Sequence, residues 1–196
     1  MNPVSRRTVL KTLFASAALA LGPARLVRAQ TPGELRLGWQ KGGDLAVVRA
    51  RGTLDRALAQ GGVSVRWIEF PAGPQMLEAL AVGSIDLGEV GETPPVFSQA
   101  AGAELRYVAN RPPSPRGEAL LVPQDSPLRT VAQLAGKRVA LNKGSNVHYL
   151  LLRLLESAGL SYRDVKTAFL PPADARSAFE RGAVDAWVIW EPFASA

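Results

Sequence analysis

The chain of 196 residues contains no cysteine. A disulfide framework, a thiol nucleophile and a cysteine-ligated zinc are therefore excluded. It has one histidine, His148, so a multi-histidine metal site is excluded as well. Neither G-x-x-x-x-G-K-[ST] nor G-x-G-x-x-G occurs, and no nucleotide-binding loop is signalled. Ser145 lies three residues before His148 but outside any G-x-S-x-G elbow. With no carboxylate evident to orient the histidine, a Ser–His nucleophile is disfavoured. These absences call for no cofactor and no catalytic residue. Acidic residues are also missing from the first 33 positions, whereas Arg6, Arg7, Lys11, Arg25 and Arg28 all fall there.

That asymmetry explains the charge. The formal net charge is +6, from 23 basic and 17 acidic residues. Without the five N-terminal bases, 18 basic residues face the same 17 acidic ones, and the remainder is nearly neutral. No basic stripe is interleaved with aromatics, so nucleic acid is not an expected partner. The basic N-terminus reads as an export signal. Ser5-Arg-Arg-Thr-Val-Leu-Lys11 is a twin-arginine pattern, an apolar run follows from Thr12 to Leu21, and Val27-Arg-Ala29 supplies small residues before a cut. The apolar run is shorter than the roughly 20 residues of a spanning helix. Residues 1–29 are thus expected to be a twin-arginine-type signal peptide. The mature chain then begins near Gln30 and works outside the cytoplasm.

The hydrophobic content of 47% is enough for a packed core. Beyond the signal, apolar runs of strand length alternate with helical patterns. Strands are expected at Leu35–Trp39, Val63–Phe70, Ile85–Val90, Leu105–Ala109, Ala119–Val122, Val139–Leu141, Lys166–Leu170 and Ala183–Trp190. Helices are expected at Asp44–Leu58, Gln75–Val82, Pro94–Ala101, Val131–Leu134, Val147–Ala158 and Ala173–Arg181. Such alternation implies an α/β fold with largely parallel sheets. Arg111-Pro-Pro-Ser-Pro115 interrupts it and reads as a linker.

The two sides of that break echo each other. Arg36-Leu-Gly-Trp-Gln-Lys-Gly-Gly43 matches Arg138-Val-Ala-Leu-Asn-Lys-Gly-Ser145. Phe70-Pro71 followed by Gly83-Ser-Ile-Asp86 matches Leu170-Pro171 followed by Gly182-Ala-Val-Asp185. Two related α/β lobes are expected, 30–113 and 114–196. Each lobe ends a strand in a Lys-Gly step and then opens a helix. In open α/β sheets ligands bind at the carboxyl ends of the strands, and a helix N-terminus there offers free N–H groups to an anion. Gly42-Gly43 and Gly144-Ser145 are candidate anion cradles, with Lys41 and Lys143 adding charge. The same residues equally suit plain helix caps, and the pattern alone leaves both readings open. Asp86 and Asp185 read as turn and cap residues.

The words LRLGWQKGG (35–43), EFPAGPQMLEALAVGSIDLGEVGETPP (69–95), YVANRPPSP (107–115), GKRVALNKGSNVHYLLLRLLESAGL (136–160) and FLPPADARSAFERGAVDAWVIWEPF (169–193) carry a resemblance. The mature chain resembles the periplasmic aliphatic sulfonate-binding proteins of ABC transporters, a group related to taurine and nitrate binders. The resemblance implies a type II periplasmic-binding fold, two α/β lobes with a cleft between them. It implies capture of a small organosulfonate anion in the periplasm and delivery to an ABC permease, by a monomer. A taurine, nitrate or other small-anion binder, or an enzyme on the same fold, are the alternatives. The ligand-contacting segments of the family fall at Gln40 and Gly42, at Pro74 and Gln75, and at Glu92 and Thr93. In the second lobe they fall at Gly144, Ser145, Asn146 and His148, and at Trp190 and Glu191. Family members run to about twice the mature length here. The second half is therefore expected to be incomplete, and the first lobe to lack part of its core.

Overall fold

The computed structural model describes residues 33–196. The signal segment and its expected cut after Ala29 lie outside the described residues. Strands β1 (Gly33–Trp39), β2 (Val63–Glu69) and β3 (Leu87–Gly88) form one parallel sheet in the order β2-β1-β3. Strands β4 (Glu118–Leu121), β5 (Arg138–Leu141), β6 (Lys166–Phe169) and β7 (Ala186–Trp190) form a second, ordered β4-β7-β5-β6. There β5 runs parallel to β6 and β7, and β4 is antiparallel to β7. The arrangement β2-β1-β3 recurs as β6-β5-β7, so the echo in the sequence is also an echo in topology.

The helices are α1 (Asp44–Arg51), α2 (Thr53–Ala59), α3 (Gly73–Ala81), α4 (Thr93–Ala100), α5 (Asn146–Ser157) and α6 (Pro172–Glu180). Period-two alternation places the second sheet between two helices. Val139 and Leu141 of β5 and Ala186 and Val188 of β7 face α5, whose Val147, Leu151 and Leu155 recur every four residues. Ala140, Trp187 and Ile189 point the other way, onto Ala175 and Ala178 of α6. A central strand covered on both faces must be apolar throughout, as Val139, Ala140 and Leu141 are. The first sheet is more thinly covered. Leu37, Met76 and Ile85 are fully buried, yet α1 and α2 bury no residue.

Four expectations change. The helix expected over 44–58 is two helices, because Gly52 takes a left-handed φ of 58° and donates its N–H to Arg49 O. The strand expected over 85–90 pairs only at Leu87 and Gly88. Just beyond it the carbonyl of Glu89 accepts from Gln40 Nε2 at 2.9 Å. Residues 105–109 form no strand among the described residues. Tyr107 and Val108 stand exposed, since an apolar run becomes a strand only beside an edge that can pair. Residues 183–185 are a bend that precedes β7.

The repeat is fastened twice in the same way. Asp86 accepts the N–H of Arg36 at 2.8 Å and returns its own N–H to Arg36 O at 2.8 Å. Asp185 accepts from Arg138 N at 2.7 Å and returns its N–H to Arg138 O at 2.8 Å. Each aspartate ties the first strand of a unit to its third. In the first unit the guanidinium of Arg36 also reaches both Asp86 oxygens. The Arg36 side chain and then its N–H hold the Asp86 carboxyl down at about 2, from an ordinary 3.8.

A depressed acid binds fewer protons in the native state than in the unfolded chain, so its contribution is complete above the unfolded pKa and fades as pH falls. Thermal melts between pH 5 and pH 2 should show stability declining from about pH 4 towards about pH 2. Asp86→Asn should lower the melting temperature at neutral pH and flatten that acid limb.

Candidate functional site

Loops at the carboxyl ends of the strands of both sheets meet at a cleft of about 340 Å³. From the first sheet come Gln40, Gly42 and Gly43 after β1, and Glu89, Val90 and Gly91 after β3. From the second come Ser145 and Asn146 at the start of α5, and Trp190 and Glu191 at the end of β7. The crossover between the sheets adds Arg111, Ser114, Arg116 and Glu118. A shallow hollow of about 560 Å³ lies elsewhere, between Arg49, Asp55, Arg56 and Trp67. It gathers none of the expected site residues.

Two glycines let the sides meet. A Cβ on Gly42 would stand 2.3 Å from the Glu191 carbonyl oxygen, and one on Gly91 would stand 2.1 Å from Asn146 Oδ1. Both lie far inside van der Waals contact: at Gly42 the obstacle is backbone, so any side chain there pushes the two halves apart, whereas at Gly91 the Asn146 amide would have to swing aside.

Six of the expected residues line the cleft: Gln40, Gly42, Ser145, Asn146, Trp190 and Glu191. Several of their polar groups already have partners. Gln40 holds the Glu89 carbonyl at 2.9 Å, and the Ser145 hydroxyl donates to Asn142 O at 2.7 Å. Asn146 Nδ2 donates to the Glu118 carboxylate, and Glu191 accepts from the Ser195 N–H and hydroxyl. Pro74, Gln75, Glu92, Thr93, Gly144 and His148 do not line it. Gly144 instead faces Pro74, with a Cβ position 3.7 Å from the ring. Thr93 is buried in the first turn of α4, its hydroxyl 3.4 Å from Glu92 Oε1. The amide oxygen of Gln75 is buried without a partner.

His148 departs furthest from its expected part. Its Nδ1 accepts the Gly144 N–H at 3.2 Å, which leaves Nε2 protonated and donating to Tyr162 Oη at 3.0 Å. The ring lies parallel to Phe97 of α4, with centroids 6.2 Å apart, and edge-on to Phe169. It is a packing and positioning residue between α4 and α5, with both nitrogens spent on the protein. Burial, and then the charge of Lys143, press its pKa below 6.5.

The acids and bases of the crossover were missed because a Pro-rich stretch reads as a linker. Glu118 is half-buried and makes no ion pair among the described residues. Burial raises its pKa, the Asn146 hydrogen bond opposes that, and the nearby Glu92 charge adds to it. Arg111 sits 3.5 Å from Asp44 and 3.8 Å from Glu89. The N-termini of α1 and α5 differ. Glu89 accepts the N–H groups of Asp44 and Leu45 at 3.1 and 2.8 Å, whereas no side chain caps α5. Among the described residues the N–H groups of Ser145 and His148 are taken by Asn142 O and Ser145 O, and those of Asn146 and Val147 have no partner, with Asn146 on the cleft wall.

Two lobes of this topology, open to a shared cleft at their strand ends, define a type II periplasmic-binding fold. Solved structures agree. The alkanesulfonate-binding protein SsuA from Xanthomonas axonopodis pv. citri, bound to MOPS, superposes with a TM-score of 0.81 at 53% identity. That match covers 86% of this chain and 58% of the other. The periplasmic aliphatic sulphonate binding protein SsuA from Escherichia coli gives 0.70 at 51%, over 84% of this chain and 56% of that one. The chain belongs to the NMT1/THI5-like family, whose model matches residues 58–194. A curated relative in Escherichia coli (strain K12), named for binding aliphatic sulfonates, is 48% identical over 97% of this chain. The taurine-binding periplasmic protein of the same strain is 30% identical over 70% of it. The chain spans 59% of the length of the first of these relatives and 42% of the second.

Gly42→Ala should cost about 1–3 kcal/mol in urea denaturation, the usual penalty for forcing atoms into filled space. For His148 the native state binds fewer protons than the unfolded chain. Stability should be full above about pH 6.5 and fall as pH drops below it. An NMR titration of this single histidine should give a midpoint below 6.5, and Tyr162→Phe should move it.

Proposed function

We propose that this chain is the substrate-binding part of an ABC importer, holding an aliphatic sulfonate in the cleft. The observation that carries the reading is the uncapped N-terminus of α5 beside Arg116 and the face of Trp190, all on one cleft. A sulfonate spreads one negative charge over three oxygens. Backbone N–H groups and a helix dipole match it without a full counter-charge. Arg116 makes no ion pair among the described residues and draws the anion in. An alkyl tail needs an apolar wall, and Trp190 provides one. The similarity to alkanesulfonate-binding SsuA, seen with MOPS, itself a sulfonate, supports this class of ligand.

The rest of the reading follows from it. The lobes 30–113 and 114–196 close over the ligand about the crossover near Arg111–Pro115, and the closed form engages a membrane permease. The protein acts in the periplasm after cleavage of a twin-arginine signal, as a monomeric carrier and not an enzyme. The named relatives are likewise binding proteins. Taurine is the second reading. The Glu118 carboxylate, without a cation beside it, would meet the ammonium of an aminosulfonate.

Calorimetric titration with a series of linear alkanesulfonates, with taurine, nitrate and sulfate beside them, tests the assignment. Affinity should rise by about 0.8 kcal/mol for each methylene that reaches the apolar wall. Trp190→Ala, read where the chain is still folded, should flatten that slope. Tighter binding of taurine than of its uncharged-tail analogues would move the assignment to the second reading. Absence of binding by every sulfonate would remove both.

A further inference from the structure

The two junctions that look alike in sequence are unlike in space. At Asn142-Lys-Gly-Ser145 the helix behind the loop has no side-chain cap. At Gln40-Lys-Gly-Gly43 the matching position is filled by the carboxylate of Glu89. Its oxygens take the N–H of Asp44 at 3.1 Å and that of Leu45 at 2.8 Å. Three other features hold it there. Gln40 Nε2 grips the Glu89 carbonyl at 2.9 Å. Arg111 reaches to 3.8 Å from the carboxylate. Gly43, at φ +121°, leaves room that a Cβ 3.0 Å from Glu89 Oε2 would remove. The carboxylate thus stands where the repeat would otherwise place an anionic group of the ligand, and it lines the cleft.

We propose that Glu89 is a resident anion that occupies the first-lobe cradle and makes the cleft select ligands with one anionic group over ligands with two. The proposal rests on the sulfonate reading above. A monosulfonate has only the α5 cradle to fill. A disulfonate brings its second charge towards α1, where the amides are taken and a negative charge already sits. Like charges at that range repel unless one of them is removed.

The test uses the full chain and its Glu89→Gln and Glu89→Ala variants, titrated with butane-1-sulfonate and butane-1,4-disulfonate at fixed ionic strength. The parent should favour the monosulfonate by at least about tenfold, and Glu89→Gln should raise the disulfonate-to-monosulfonate affinity ratio at least about fivefold. An unchanged ratio overturns the proposal. Failure of the parent to bind either sulfonate instead overturns the sulfonate reading. Melting curves in sulfate against chloride then decide the role of Glu89 separately. A sulfate-dependent rise of several degrees in Glu89→Ala but not in the parent supports a vacated cradle. Equal responses count against it. If Glu89→Ala does not fold, the same comparison is read on Glu89→Gln, which keeps the shape and loses the charge.

Discussion

A helix that begins at the carboxyl edge of a parallel sheet starts with N–H groups that have no partner inside the helix. The arrangement of this protein around its cleft follows from how those groups are met. The two units present the same problem at α1 and at α5, because both run strand, Lys-Gly step, helix. At α1 the protein answers with its own carboxylate from Glu89, and at α5 no side chain takes the N–H groups of Asn146 and Val147 among the described residues. One helix start on the cleft wall is therefore met by a side chain of the protein and the other is not. The crossover brings Arg111 to the first of these starts and Glu118 against Asn146 at the second.

The fold keeps these helix ends in place by a local device used twice. The Arg36–Asp86 and Arg138–Asp185 exchanges each tie the first strand of a three-strand unit to its third at the edge opposite the cleft. With the far edge tied, the carboxyl ends of the strands are set and the loops they carry are aimed. Packing then distinguishes the units. The second sheet is covered on both faces by α5 and α6, whereas the first is thinly covered by α1 and α2. Close approach between them depends on glycine at 42 and 91, where a single methyl group would meet backbone or amide atoms of the other side.

Much of this was legible in order along the chain. The strand and helix alternation, the paired Lys-Gly junctions and the two Gly-x-x-Asp turns all recur in the structure, since each is a short-range pattern. The losses were of two kinds. Leu105–Ala109 has the composition of a strand but pairs with none among the described residues, and Gly52 splits what reads as a continuous helix. At the site, His148 is expected only because the family resemblance places it in a ligand-contacting segment. Its two nitrogens are instead taken by Gly144 and by Tyr162, which follows it by 14 residues in sequence.

By itself the sequence determined the α/β class, the doubling of the unit, the helix starts that face the cleft, and the likeness to sulfonate binders. These depend on periodicity and on residues within a few positions of one another. Only the tertiary structure decided which polar groups remain for a ligand. Glu89 reaches Asp44 and Leu45 across some 45 positions, and Asn146 reaches Glu118 across 28. A hydrogen-bonding side chain in a list of residues is a donor or acceptor in principle. Whether it is free is settled by what the fold brings beside it, and no local pattern encodes that.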